Sequence, residues 1–234
     1  MSPFLAGLFL LTTSSQDKTY DMLWHPTAGQ HLVYDLKVEG EVMTEPFVFK
    51  AEVHQRVKKV EANGNYQLGT QFTNGYTKFG THEDHTGDDP EEVQKYNKRG
   101  ELLDKKQPST DPDDDNISEL VGQATDFSPP MNPVKLNDSW TKEIAADKSL
   151  SLPAASATYK LSAESKFGEA PTLVVTYTYA QKSGLDPMKA KGVIVLDARD
   201  GSIVSVNADV DNLPLAEGTP PGKAKLSMFR KKTS

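Results

Sequence analysis

Phe127-Ser-Pro-Pro-Met-Asn-Pro-Val-Lys-Leu-Asn-Asp-Ser-Trp140 is the stretch that decides how this chain is read. Pro129, Pro130 and Pro133 fall close together, and a proline has no backbone N–H to give to a sheet ladder. The stretch is therefore expected to be a rigid crossover. Asn137-Asp138 would make a turn after it, and Trp140, one of two tryptophans, would be the first large anchor beyond. Runs of alternating apolar and polar residues lie on both sides. The crossover thus reads as a seam inside one β-rich domain over 16–234. That domain has a first half over about 30–107, an acidic loop and helix over 108–126, the seam over 127–137 and a second half over 138–234.

Upstream, His31 to Val42 puts Leu32, Tyr34, Leu36 and Val38 on one face and Asp35, Lys37 and Glu39 on the other. Phe47, Phe49, Ala51, Val53 and Val57 alternate with Lys50, Glu52, His54, Arg56 and Lys58, the pattern of a long antiparallel strand with one wet face. Asn63-Gly64 and Asn74-Gly75 read as hairpin turns, because both residue types tolerate positive φ. Val93–Lys106 reads as strand, turn and strand around Gly100, against a helix begun by Asp89-Pro90-Glu91-Glu92. Asn116 and Glu119 form a capping box, and Ile117, Leu120, Val121 and Ala124 share one helical face. A short helix at roughly 117–125, packed on the sheet, is the expectation.

Downstream, Trp140–Ile144 opens the second half. Tyr159–Ala163, Leu173–Tyr179, Val193–Asp197 and Ser202–Val210 have strand composition, with Asp200-Gly201 as a third turn. Lys223–Lys232 reads as a last edge strand. The expected fold class is mainly β: a curved antiparallel sheet or half-barrel of about nine or ten strands with one short helix.

Charge and composition exclude several functions. The formal net charge is −7, and nucleic-acid surfaces need clustered Lys and Arg. Glu83 to Glu119 holds 13 acids and 5 bases, so the acidity belongs to this one region. The chain has no cysteine, which removes disulfides, thiolate metal sites, a thiol nucleophile and a lipidated cysteine. Pro3–Leu11 is an apolar run followed by Thr12-Thr-Ser-Ser15, the layout of a signal peptide over 1–15, too short to span a bilayer and without a basic start. Export to the periplasm or the extracellular space is expected.

Candidate chemistry is sparse. His82, Glu83 and His85, with Asp88 behind them, mix imidazole and carboxylate ligand types and form the candidate metal group, against an ordinary polar loop. Asp111 to Asn116 has carboxylates at calcium-loop spacing, but Gly122 stands where a bidentate glutamate is required. Asn116-Ile-Ser118 and Asn137-Asp-Ser139 match the glycosylation pattern, which is frequent by chance. No G-x-S-x-G elbow or other catalytic constellation is present, and no cofactor is implied. The strand aromatics are core or, in a half-closed sheet, the walls of an apolar pocket. Phe49, Phe72, Trp140 and Tyr177 are the candidate ligand contacts.

Pro133-Val-Lys-Leu-Asn-Asp-Ser-Trp140, with the strands at Tyr159, Val174–Tyr179 and Asp197 to Gly201, resembles uncharacterised exported bacterial proteins. In these a V-K-x-G-D-S-W element opens the second half of a β-rich domain. Asn137 replaces the glycine usual there, and asparagine is the next-best residue for a left-handed turn. More remotely the layout is similar to LolA-like lipoprotein carriers, whose half-barrel closes over a lipid cavity. The apolar N-terminal run, the antiparallel pattern and the absence of catalytic constellations point to a non-catalytic exported or envelope-associated binding domain, for an apolar ligand, a lipid or an envelope protein. The alternatives are a structural or protein-interaction domain with a filled core and, third, a metal-dependent or other enzyme.

Overall fold

The computed structural model describes residues 18–42, 44–103, 122, 124–147, 152–214 and 221–232. In chain order the strands are β1 (Thr19–Tyr20), β2 (His31–Val42), β3 (Glu45–Val60), β4 (Tyr66–Phe79), β5 (His82–Thr86), β6 (Glu92–Tyr96), β7 (Val134–Lys135), β8 (Ser139–Ile144), β9 (Ala155–Phe167), β10 (Ala170–Gln181), β11 (Lys189–Asp197), β12 (Ile203–Leu213) and β13 (Gly222–Arg230). Eleven of them form one antiparallel sheet in the order β5-β4-β3-β2-β13-β12-β11-β10-β9-β8, with β6 also on β4, while β1 and β7 make a separate ribbon. The sheet keeps two ends, so backbone pairing does not close it into a barrel. The fold is mainly β, as expected, but with thirteen strands among the described residues rather than about nine or ten, because the short β1, β5, β6 and β7 carry too few residues to show a period in sequence. Of the expected helix, only Gly122, Ala124 and Thr125 fall among the described residues, with helical backbone. The rest of that helix, the 1–15 segment and the Asp111–Asn116 loop lie outside them.

Three expectations are corrected. Lys223–Lys232 is not an edge. β13 lies between β2 and β12 and is the strand that fuses the two halves. Its lysines look like edge guards in sequence, but Lys225 faces Asp209 on one neighbour and Glu39 on the other, and Lys223 faces Asp211. Opposite charges directly across a sheet favour the central place. Asn74-Gly75 is not a hairpin turn but an irregularity within β4, where Asn74 has φ 53° and the register against β3 shifts. A Cβ on Gly75 would stand 1.8 Å from the Thr86 hydroxyl, so glycine is needed there for β5 to pair. At Asn63-Gly64 a turn does form, but only Gly64 has positive φ and the loop closes from Glu61 to Asn65, not as a type I′ turn. The Gly100 hairpin is present, with Tyr96 bridged to Leu102.

One row of inward side chains runs across eight strands by direct register: Trp140, Tyr159, Tyr177, Gly192, Ala208, Leu226, Val38 and Phe49. Three large rings are followed by Gly192 and Ala208, so the row is bulky at the β8 end and shallow in its middle. A Cβ on Gly192 would lie 2.8 Å from the Tyr177 ring and 2.2 Å from the Asn207 carbonyl, so Tyr177 occupies the space a side chain would take.

The sheet curls until its ends come within side-chain reach, and the proline crossover lies between them. From the β8 end, the Trp140 indole N–H donates to the Ser128 carbonyl at 2.8 Å, and the Tyr159 hydroxyl donates to the Asp126 carbonyl at 2.8 Å. From the hairpin after β6, the Arg99 guanidinium donates to Pro129 O at 2.9 Å and Pro130 O at 3.4 Å. Lys142 on β8 meets Glu101 at 2.8 Å, a surface pair that adds little stability. Phe127 packs edge-on against both Trp140 and Tyr159. Asn137 takes φ 73°, the left-handed turn expected of it.

Trp140→Ala is expected to destabilise the protein by about 3 kcal/mol, through lost packing and an orphaned carbonyl. Trp140→Phe keeps the stack on Tyr159 and should cost less. Urea unfolding of the two variants beside the wild type measures the difference, and one shared transition is the expected form.

Candidate functional site

Residues 21–30 form a strap across the inner face. Met22 is buried, His25 N–H donates to the Asp200 carbonyl at 2.7 Å, and Gly29 N–H donates to Val57 O at 2.9 Å. The strap rests on the β11–β12 turn. A Cβ on Gly201 would stand 2.1 Å from the Leu23 carbonyl, and Gly201 has φ 75°, so both space and conformation require glycine.

Strap, inner sheet and crossover together line a half-open pocket of about 210 Å³. Met22, Trp24, Tyr34, Tyr66, Phe127 and Met228 give it apolar and aromatic walls, and Gln55, Arg99, Asp126 and Ser202 give it polar points. Trp24 meets Tyr66 edge-on at 5.2 Å, and Tyr66 stacks on Tyr96 at 5.5 Å. Burial, helped by Asp126, pushes the Tyr66 phenol up to about 12. Burial also pushes Tyr34 far above the ordinary range, while its hydroxyl donates to the Ile203 carbonyl at 3.1 Å. Both phenols stay neutral at any physiological pH. Arg99, fixed by the crossover carbonyls, is the cation at this pocket. The space exceeds the roughly 150 Å³ that holds benzene, and falls short of the roughly 300 Å³ at which drug-sized sites begin.

An ion network around the buried Asp197 braces the wall beside Ser202. Asp197 is 2% exposed and accepts from Arg199 Nε at 2.9 Å and Nη2 at 2.6 Å, and from Arg230 Nη2 at 3.0 Å. Arg230 Nη1 donates to the Ser202 hydroxyl at 2.7 Å, which donates to Asp200. The hydrogen bonds from Arg199, and then from Arg230, hold the Asp197 carboxyl well below the usual carboxylate range despite its burial.

Phe49, Trp140 and Tyr177 share one inner row, but Trp140 and Phe49 stand with six strands between them, and none of the three lines the pocket. Tyr177 stacks on Tyr159 at 6.0 Å, and its hydroxyl is buried with no hydrogen-bond partner among the described residues. Phe72, opposite Val53, is 38% exposed and also stands away from the pocket. Sequence reasoning passed over Met22, Trp24 and Arg99. The available signal was Trp24 itself, a large aromatic in a segment with no strand pattern.

His82, Glu83 and His85 lie on β5, where alternation sends Glu83 to the face opposite His82. Glu83 pairs with Lys78 at 2.6 Å, His85 packs against Tyr76 at 5.0 Å, and Asp88 follows the strand. No group of three His, Cys, Asp or Glu residues is arranged to hold a metal ion among the described residues.

No protein-family model and no curated protein matches this chain. A solved structure described as "Lipid-protein interactions in lipovitellin" matches with TM-score 0.52 and 11% identity, over 88% of this chain and 25% of that one. The likeness is one of fold, in a large antiparallel sheet, and the chain spans a quarter of the length of the protein it matches.

Asp197→Asn should cost about 2 kcal/mol, because it removes the charge-assisted hydrogen bonds of half-buried Arg230 and of Arg199. The carboxyl of Asp197 is depressed in the folded state, so its contribution is present above the ordinary value of 3.8 and fades as pH falls below it. The wild type should therefore lose stability steeply below about pH 4, and Asp197→Asn should lose less over the same range, as read by thermal melts in an acid series.

Proposed function

We propose that this chain is a non-catalytic binding domain for a small apolar or amphipathic ligand, with a lipid chain as the first class to test. The observation that carries this reading is the pocket itself: an aromatic-walled space between strap and sheet, with the strap seated closely at Gly201, the wall braced by the Asp197 network and Arg99 at its side. Its size favours entry of one chain end or ring over engulfment of a whole lipid. The shared fold with a lipovitellin structure, described in terms of lipid–protein interactions, supports the choice of ligand class. Export, implied by the apolar run at Pro3–Leu11, belongs to the same proposal, and sequencing the mature N-terminus checks it.

The two tryptophans make the test specific, since Trp24 lines the pocket and Trp140 does not. Titration with a medium-chain fatty acid should shift the tryptophan emission of the wild type and of Trp140→Phe, and leave that of Trp24→Phe unchanged. Native mass spectrometry should show a one-to-one complex. An unchanged spectrum with no complex would overturn the reading in favour of an interaction domain whose core is filled.

A further inference from the structure

We infer that His31 and His54 form a two-imidazole site for a late first-row divalent cation, zinc foremost, on the outer side of the pocket wall. His31 Nε2 and His54 Nδ1 lie 3.2 Å apart. Their ring centroids are 5.4 Å apart with planes inclined by 27°. The centroid separation exceeds the nitrogen–nitrogen distance by about two ring radii, so the rings meet edge to edge with these nitrogens facing, rather than face to face. Zinc–imidazole bonds of about 2.0–2.1 Å at the tetrahedral angle put two ligand nitrogens about 3.3 Å apart. The spacing needed is therefore already present; the nitrogens now face each other across a hydrogen bond, and a turn of about 35° in each ring brings both lone pairs onto one ion.

The sheet builds this pair. His31 on β2 faces Arg56 on β3, and His54 stands two residues from Arg56 on the same face, which makes the histidines diagonal cross-strand neighbours. The second nitrogen of His54 is engaged as ligating histidines usually are: Nε2 lies 3.1 Å from the Thr73 hydroxyl and 3.7 Å from a Glu52 carboxylate oxygen. That contact turns Nδ1 toward His31. Arg56 opposes a cation here; Glu91, 3.7 Å from its guanidinium, is shared with Lys58, and Glu52 is shared with Lys231, so the local charge is close to balanced and the two imidazoles must carry the binding. No third protein ligand completes the group among the described residues, so water would fill the remaining positions and exchange would be fast. Leu32 and Gln55, the residues beside the two histidines in sequence, pair with each other and line the pocket from within. A bound ion would therefore tie together the two strands of that wall.

Zinc chloride titrated into the full chain in chelator-free buffer, followed by calorimetry, tests this. The expected result is one site with a dissociation constant of about 10 μM or tighter. His31→Gln and His54→Gln should each weaken binding at least about tenfold. The double variant His82→Gln, His85→Gln should bind as the wild type does. Ring-nitrogen resonances of His31 and His54 should move together with the titration, a readout independent of any variant. Binding weaker than about 10 μM, or binding that survives both single changes, would overturn the inference.

Discussion

The crossover between the ends of the sheet has carbonyls to satisfy and, at three positions, no N–H with which to join a ladder. The fold meets this with side-chain donors. An indole, a phenol and a guanidinium take the carbonyls of Ser128, Asp126, Pro129 and Pro130. These donors come from opposite ends of the sheet order: Trp140 and Tyr159 from one, Arg99 from the other. The crossover thus ties together edges that share no backbone bond. Each bond is modest in net terms, but removing a donor leaves a buried or half-buried carbonyl unpaired, and that asymmetry makes the arrangement specific.

The pocket follows from this tie. An open sheet that curled without a crossover would leave its inner face wet; one that closed completely would fill that face with side chains, as small barrels do. Here the inner row is filled over β8 to β10 by stacked rings and kept shallow over β11 and β12 by Gly192 and Ala208. Toward β2, β3 and β4 the face is roofed by the strap and by Phe127 and Pro129 instead of by a further strand. The space left between roof and sheet is the candidate site, and Arg99 serves both as a crossover clamp and as a wall of that space.

Local features were legible in sequence, and long-range ones only in part. The faces of β2 and β3, the Gly100 hairpin, the turn at Asn137 and the structural part played by Trp140 all follow from period and turn chemistry, which act over a few residues. The place of β13 depends on which distant strands carry its complement. Asp209, Asp211 and Glu39 do, but nothing near Lys223 or Lys225 announces it. Asn74-Gly75 carries the same local signal as a real turn, and only the neighbour Thr86 makes it a bend within a strand. All four candidate aromatics stand on the inner face, Phe49, Trp140 and Tyr177 in one row and Phe72 opposite Val53. The pocket, however, depends on what roofs the face, and the roof is made of Met22, Trp24 and Phe127 from segments without periodicity.

The same distinction bears on the two histidine groups. His82 and His85 are close in sequence, and strand alternation with separate partners pulls their neighbours apart. His31 and His54 are 23 positions apart and carry no motif, yet the β2–β3 register brings their nitrogens to 3.2 Å. Ligand spacing along a chain is informative on a helix or in a tight loop, where near residues converge. On a sheet convergence is set across strands, so a metal-type pair has to be sought in the register rather than in the sequence.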